Sequence, residues 1–205
     1  MSIVEETISS LDSRTETVLS VIRGRRSIGK FTADVPTRIE IETILEAATW
    51  APCHHITDPW RFVVLTGDEL AKFADLMGQT KLDRLVRLGR ETEGEYERAR
   101  NKALRAPVVI AVEVEPSSNP KVVEIEEIEA GAAAVQNMLL VAQSLGLATT
   151  WKTGDPAYDL EVKTFFGFPA NAHIIGFIYL GYPDAAPTRA RHTPHHAITT
   201  WRGWT

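Results

Sequence analysis

Two groups of arginines, one near each end of the chain, could bind an anion. Arg25 and Arg26 stand directly before Ser27, and Arg189 and Arg191 lie close to the C-terminal end. Guanidinium groups form paired hydrogen bonds to phosphate oxygens, and a serine hydroxyl can add one more. A solvated basic helix end, favourable in the helix dipole, is the competing interpretation of the first group. Together the two groups predict a phosphate site if the fold brings them to one place.

The other motifs that could carry chemistry are weaker. Neither GxxxxGKS/T nor GxGxxG occurs, which excludes a P-loop and a dinucleotide-binding βαβ unit as the phosphate site. Five of the six histidines cluster at 54–55 and 192–196, so a zinc site is an open alternative, although no HExxH and no CxxC pair supports it. Cys53 precedes His54, but sequence neighbours are seldom arranged as nucleophile and base, and a packed loop cysteine is the favoured interpretation.

Composition and charge exclude several classes of protein. The 205 residues include 44% hydrophobic and 24% charged side chains, as in globular proteins, and the net charge of -5 excludes a basic nucleic-acid-binding domain. No apolar run approaches the roughly 20 residues of a membrane-spanning helix. A polar N-terminus unlike a leader peptide, with a single cysteine, predicts a cytoplasmic protein. We therefore expect one domain over residues 1–205, with neither a nucleic acid nor a membrane as partner.

The first half of the chain predicts three helices and a strand. A capping box at 13–16 predicts a helix that ends near Gly24, and Thr37 with Glu40 predicts a second helix that residues 51–52 stop. A β-rich run at 60–66 is followed by a helix that Gly78 should end. Residues 81–105 are rich in arginine and glutamate, which indicates either a solvated helix or a lid over a ligand site.

The second half predicts strands around one long helix. An apolar β-branched run at 106–114 precedes the longest predicted helix, 123–145, which Gly146 ends. Small residues at 130–134 would let another helix approach closely, so this helix is the predicted dimer interface. A strand at 147–151, a short helix at 159–166, a strand at 173–181 and an extended tail complete the chain. The alternation predicts helices packed on a sheet.

Four motifs resemble those of the FMN-dependent nitroreductase family, in the family's order. RRSIGKF at 25–31 is similar to the family's RRSxRxF opening, and APCHHITDPW at 51–60 is similar to its AP(S/D)xxxxQPW loop. GLATTWKTG at 146–154 resembles the GxGxxW segment, and residues 174–183 resemble the family's terminal strand and turn. The resemblance runs from about Val18 to Arg191 and is strongest to the small, minimal nitroreductase-like branch.

The resemblance implies a fold, an assembly and a set of flavin contacts. The fold would be α+β, with a mixed, mostly antiparallel sheet packed between helices, in a homodimer that binds FMN at each interface. Arg25 and Ser27 would hold the FMN phosphate and ribityl chain. The other implied contacts are Arg26 beside them, Arg189 and Arg191 on the phosphate, Trp50 and His54 across the dimer interface, and Trp151, Lys152 and Thr153 along the isoalloxazine edge.

The implied activity is hydride transfer from NAD(P)H through FMN to a small flat acceptor, a nitro, quinone or other conjugated compound, by ping-pong exchange. A non-catalytic flavin-binding or carrier protein is the alternative. Two positions depart from the family: Gly29 replaces a basic residue, and Ile56 and Asp58 replace the loop's Asn and Gln. Lys152 is therefore the predicted catalytic residue, as the cation that stabilises the negative charge of the reduced flavin.

Overall fold

A four-stranded antiparallel sheet, in the order β1-β2-β4-β3, forms the centre of the computed structural model, which describes residues 12–186 and 192–203. The strands are β1 (Trp60–Leu65), β2 (Val108–Val114), β3 (Ala148–Lys152) and β4 (His173–Gly181). The α-helices of these ranges are α1 (Ser13–Gly24), α2 (Arg38–Thr49), α3 (Gly67–Arg87), α4 (Glu95–Ala103), α5 (Glu124–Ser144) and α6 (Leu160–Phe166). Short 3-10 turns occur at His54–Ile56, Asp155–Tyr158 and His195–Ala197. The predicted α+β class is confirmed.

Helices cover both faces of the sheet. All seven residues of β2 are buried, as expected for a central strand with both faces packed. One face packs against α2 and α5, with Ile44 and Met138 fully buried in the shared core. On the other face Phe73 of α3 lies 5.3 and 5.5 Å, ring centre to ring centre, from Phe166 and Phe177. The prediction of a sheet between helices is confirmed.

Three of the five small residues at 130–134 of α5 pack inside the subunit. Ala130, Gly131 and Ala134 are buried. A Cβ on Gly131 would lie 2.5 Å from Cγ2 of Val114 and 2.9 Å from Cγ1 of Ile175, so the helix approaches the sheet through this glycine. These residues were predicted to admit another helix, but Ala130, Gly131 and Ala134 face the subunit's own core and Gly131 admits β2 and β4; the dimer interface on this helix stays a prediction.

Two helix boundaries differ from the prediction. The capping box at 13–16 is absent, because Ser13 already lies in α1 and its hydroxyl bonds to Asp12 Oδ1 at 3.3 Å. Gly78 does not end α3, which continues to Arg87. A Cβ on Gly78 would lie 2.6 Å from the Tyr96 ring, so the glycine makes room for that ring. The capping box of Thr37 and Glu40 is confirmed.

The charged segment 81–105 forms the end of α3 and all of α4. These two helices pack against each other, and ion pairs join them: Arg100 Nε lies 2.6 Å from Asp75 Oδ1, and Lys81 Nζ lies 3.7 Å from Glu95 Oε2. The segment is helical and carries ion pairs, as the solvated-helix interpretation expects, although Leu85 and Ala103 are buried; a lid over a ligand site, the other interpretation, stays a prediction. The same segment lines a cavity of about 240 Å³ beside the 155–158 turn. None of the described helices has the length and apolar character of a membrane span.

Candidate functional site

The segment that follows α1 lies against the beginning of β3. The backbone N–H of Arg25 donates to the carbonyl of Val21 at 3.0 Å and closes the helix. Ser27 then pairs with Thr149 in a parallel bridge, and the N–H of Ile28 donates to the Thr149 carbonyl at 3.0 Å. Two motifs more than a hundred residues apart in sequence therefore form one surface.

Arg25 and Arg26 have different surroundings. Nη1 of Arg26 donates to the carbonyls of Arg23 at 2.5 Å and Arg25 at 2.8 Å, so this guanidinium satisfies carbonyls at the C-terminal end of α1. Arg25 is half-buried, and its side chain makes no hydrogen bond or ion pair with the residues that the structure describes. Ser27 is exposed. The geometry therefore leaves Arg25 and Ser27 available to an anion and gives Arg26 a capping role.

The end of β3 carries the predicted isoalloxazine contacts. Trp151 is half-buried, and its indole Nε1 donates to the Ile175 carbonyl at 3.0 Å, which fixes the ring against β4. Trp151 and Thr153 line a cavity of about 360 Å³ that also includes residues of α5 and β4. Lys152 is exposed and has no ion-pair partner in the described ranges. The strand therefore offers one fixed aromatic wall and one free cation.

Trp50 and His54 lie on other elements. Trp50 caps the C-terminal end of α2 with 78% of its surface exposed. His54 follows in the next loop, with Nδ1 3.9 Å from Oε2 of Glu126 on α5. Among the described residues, no hydrogen bond or ion pair joins Trp50 or His54 to the arginine segment or to Lys152. Within one described chain, Trp50 and His54 therefore make no hydrogen bond or ion pair with the other predicted site residues.

The loop that carries His54 has an unusual backbone. His55, Ile56 and Asp58 have φ angles of 58°, 52° and 45°, in the left-handed region that side chains other than glycine seldom adopt. Such positions cost about 1–3 kcal/mol each and concentrate at functional sites. The side chain of Ile56 is 84% exposed, so packing within the described chain does not hold it in this conformation. Cys53 packs within the loop, with Sγ 3.4 Å from the Thr57 hydroxyl, as the packed-cysteine interpretation expects.

The charges near Ser27 fit an anionic ligand such as the FMN phosphate. The chain has a net charge of -5, yet Arg25, Lys102, Arg105 and Lys152 are among the cations that lack a carboxylate partner within the described ranges. Arg189 and Arg191 lie outside the described residues. In the ranges 12–186 and 192–203 no group of histidines, cysteines and carboxylates could hold a metal ion, so the zinc alternative gains no support there.

Sequence reasoning missed Arg105. It placed this residue in the solvated charged segment, whereas the structure places its guanidinium beside Gly29. No pattern in the sequence connects the two positions, because the contact depends on how α4 packs next to the segment after α1.

Comparisons with known proteins all find proteins that are described as nitroreductases or nitroreductase-like. The family model named Nitroreductase family matches residues 22–182. The chain is 32% identical over 180 residues to "Putative NAD(P)H nitroreductase YfhC" of Bacillus subtilis (strain 168), covering 85% of this chain and 88% of the relative. A nitroreductase-like family protein from Bacillus cereus superposes with a TM-score of 0.76 at 26% identity, covering 91% of this chain and 96% of that chain. A "putative nitroreductase in complex with fmn" from Desulfovibrio desulfuricans superposes with a TM-score of 0.72 at 25% identity, covering 92% and 98%.

Proposed function

The chain belongs to the nitroreductase family, and we propose from this premise that it is an FMN-dependent oxidoreductase that uses NAD(P)H to reduce a nitro, quinone or other conjugated acceptor. The observation that carries the proposal is the pairing of Ser27 with Thr149, which joins the arginine segment to the strand that ends in Lys152. A relative of the same fold, from Desulfovibrio desulfuricans, is complexed with FMN.

The residues of this chain would bind and orient the cofactor. Arg25 and Ser27, with Arg189 and Arg191 from the other end of the chain, would hold the phosphate through charge-assisted hydrogen bonds. Trp151, held by the Ile175 carbonyl, would form a rigid wall beside the ring. FMN, when bound, supplies hydride transfer from NAD(P)H to the acceptor. The chain supplies position, charge and exclusion of water.

The order of substrate binding tests the catalytic part of this proposal. If donor and acceptor use the same slot in turn, steady-state rates at several acceptor concentrations should give parallel double-reciprocal lines. Converging lines would contradict the exchange mechanism. A non-catalytic flavin carrier, the second candidate, predicts that no acceptor among nitroaromatic and quinone compounds turns over, although FMN binds.

Lys152→Ala should lower the midpoint potential of bound flavin and slow its reduction by NAD(P)H more than it weakens FMN binding. The reason is that a cation at the ring edge stabilises the more negative, reduced state more than the oxidised state. Redox titration measures the potential, and Lys121→Ala, an exposed lysine in the loop before α5, is the matched control. A potential and a reduction rate that both equal those of the unmodified protein would show that Lys152 is only a solvent-facing lysine.

A second copy of the chain is the partner that best suits the exposed apolar residues. No residue of α1 is buried, and Val18 and Ile22 of this helix are exposed. Trp50, at the end of α2, and Ile56, in the loop that follows, are also exposed. Exposed large apolar side chains of this kind mark interaction surfaces. In a homodimer, Trp50 and His54 of one copy would reach the flavin of the other.

Ile56→Glu should convert the dimer to a monomer and reduce flavin retention. A charge buried without a partner at an interface costs several kcal/mol, so the dimer dissociation constant should rise by at least about a hundredfold. Light scattering reports the mass and gel filtration with absorbance reports the bound flavin. Ile39→Glu, at an exposed isoleucine of α2, is the control and should leave the mass unchanged. A stable flavin-loaded monomer of the unmodified protein would contradict the dimer.

A further inference from the structure

Arg105 lies over a glycine of the candidate site. It follows α4, is half-buried, and donates from Nε to the Lys102 carbonyl at 3.1 Å, a bond that fixes the plane of the guanidinium. A Cβ built on Gly29 would lie 3.4 Å from Nη1 of Arg105, and no other atom would come within 4 Å of it. The guanidinium of Arg105 therefore covers the backbone at Gly29, a position that carries no side chain.

The charge of Arg105 is not neutralised by any residue that the structure describes. Arg98, on the same helix, is paired with Glu95, whereas Arg105 has no carboxylate partner within the described ranges. Its other neighbour is Tyr179, and burial raises the pKa of that phenol to about 12, so the phenol stays neutral beside the arginine. The open cleft of about 470 Å³ around Gly29 is lined by Arg98, Asn101, Lys102 and Arg105, without any acidic residue.

The position of Gly29 relates this cleft to the ring end of the ligand. Gly29 stands two residues beyond Ser27, and the bridge between Ser27 and Thr149 is parallel, so the chain from Ser27 to Gly29 runs in the same direction as β3. The backbone between them is pinned to β3, because the Ile28 N–H donates to the Thr149 carbonyl and the Thr150 hydroxyl donates to the Ile28 carbonyl. Gly29, which lines the cleft, therefore lies on the segment that runs beside β3 towards Trp151 and Lys152.

We propose that Arg105 binds a carbonyl oxygen of the flavin ring's pyrimidine edge through the gap left by Gly29, and so supplies, from the segment after α4, a cation that position 29 lacks. The proposal rests on the proposed function, because it requires FMN in this site. Glycine at 29 is part of the arrangement: any side chain there would stand between the guanidinium and the ligand. Arg105 raises the flavin potential because its charge favours the reduced state, in which that edge is more negative.

The test is a redox titration of the FMN-loaded protein and its variants. Arg105→Ala should lower the midpoint potential, and a tenfold loss of preference for reduced flavin corresponds to about 30 mV for a two-electron couple. Arg87→Ala is the matched control, because Arg87 also ends a helix and has no carboxylate partner among the described residues. Gly29→Lys placed in the Arg105→Ala protein should restore the potential, since φ at Gly29 is outside the left-handed region and the space is vacated.

Gly29→Leu, with Arg105 intact, is a second variant that does not depend on the stability of Arg105→Ala. The added side chain should cover the guanidinium and lower the potential in the same direction. Potentials of Arg105→Ala and Gly29→Leu that equal that of Arg87→Ala would overturn the proposal, as would failure of Gly29→Lys to restore the potential. An unmodified protein that binds no FMN would instead contradict the proposed function itself.

Discussion

Replacing Arg25 with alanine should lower the affinity for FMN by roughly ten- to a hundredfold. Arg25 is half-buried beside the exposed Ser27, and it has no partner among the described residues that could compete with a phosphate. Loss of a charge-assisted hydrogen bond costs about 1.5 to 3 kcal/mol, which is the source of the expected range. Titration of the apoprotein, followed by quenching of flavin fluorescence, measures the affinity.

Two comparisons make this result specific to the phosphate. Riboflavin lacks the phosphate, so its affinity should be the same in Arg25→Ala and in the unmodified protein. Arg23→Ala removes an exposed arginine from the last turn of α1 and should leave FMN affinity unchanged. An unchanged FMN affinity in Arg25→Ala would place the phosphate elsewhere, and an equal loss for riboflavin would show that Arg25 supports the fold and not the phosphate.

Glu113→Gln should remove a pH-dependent loss in the free energy of unfolding of up to about 3 kcal/mol. Glu113 lies in β2 with 1% of its surface exposed, and its Oε2 atom has no hydrogen-bond partner among the described residues. Burial raises the pKa of Glu113 from 4.5 to about 7, and the nearby Glu115 adds to the shift. The unfolded chain therefore releases this proton at lower pH than the folded protein does, so folding loses stability as the pH rises from about 4.5 to about 7.

Urea unfolding at a series of pH values measures this effect. Below the unfolded pKa the unmodified protein and Glu113→Gln should differ little in their pH dependence, and above about pH 7 the variant should gain the full difference. Glu129→Gln, at an exposed glutamate of α5, is the control and should follow the unmodified protein at every pH. Parallel curves for Glu113→Gln and the unmodified protein would mean that the carboxyl is ionised in the fold without cost.

Elements set by local chemistry were predictable from the sequence. The Thr37 and Glu40 capping box and the strand at 173–181 depend on neighbouring residues and on β-branched content, and both have the predicted bounds. Gly78 was wrongly predicted to end a helix, because a glycine that stops a helix and a glycine that makes room for a neighbour look alike in sequence. Gly131 was predicted to admit another helix, whereas it admits the sheet. Their roles depend on Tyr96 and on β2, which reach them only through tertiary packing.

The candidate site divides in the same way. Ser27 and the strand ending in Lys152 could be found by motif, because each motif is a continuous segment of the chain. Their pairing through Thr149 and the approach of Arg105 to Gly29 are set by strand register and helix packing, which the motifs do not encode. The cations that lack carboxylate partners became visible only when the ion pairs of the rest of the surface were known.

The most direct test of the account is anaerobic mixing of the FMN-loaded protein with NADH or NADPH, followed by addition of a nitroaromatic or quinone acceptor. The account predicts that the visible absorption band of bound flavin is bleached by at least one nicotinamide and returns in proportion to the acceptor added. A protein that binds FMN but keeps the band unbleached with both nicotinamides would contradict an oxidoreductase and leave a flavin carrier.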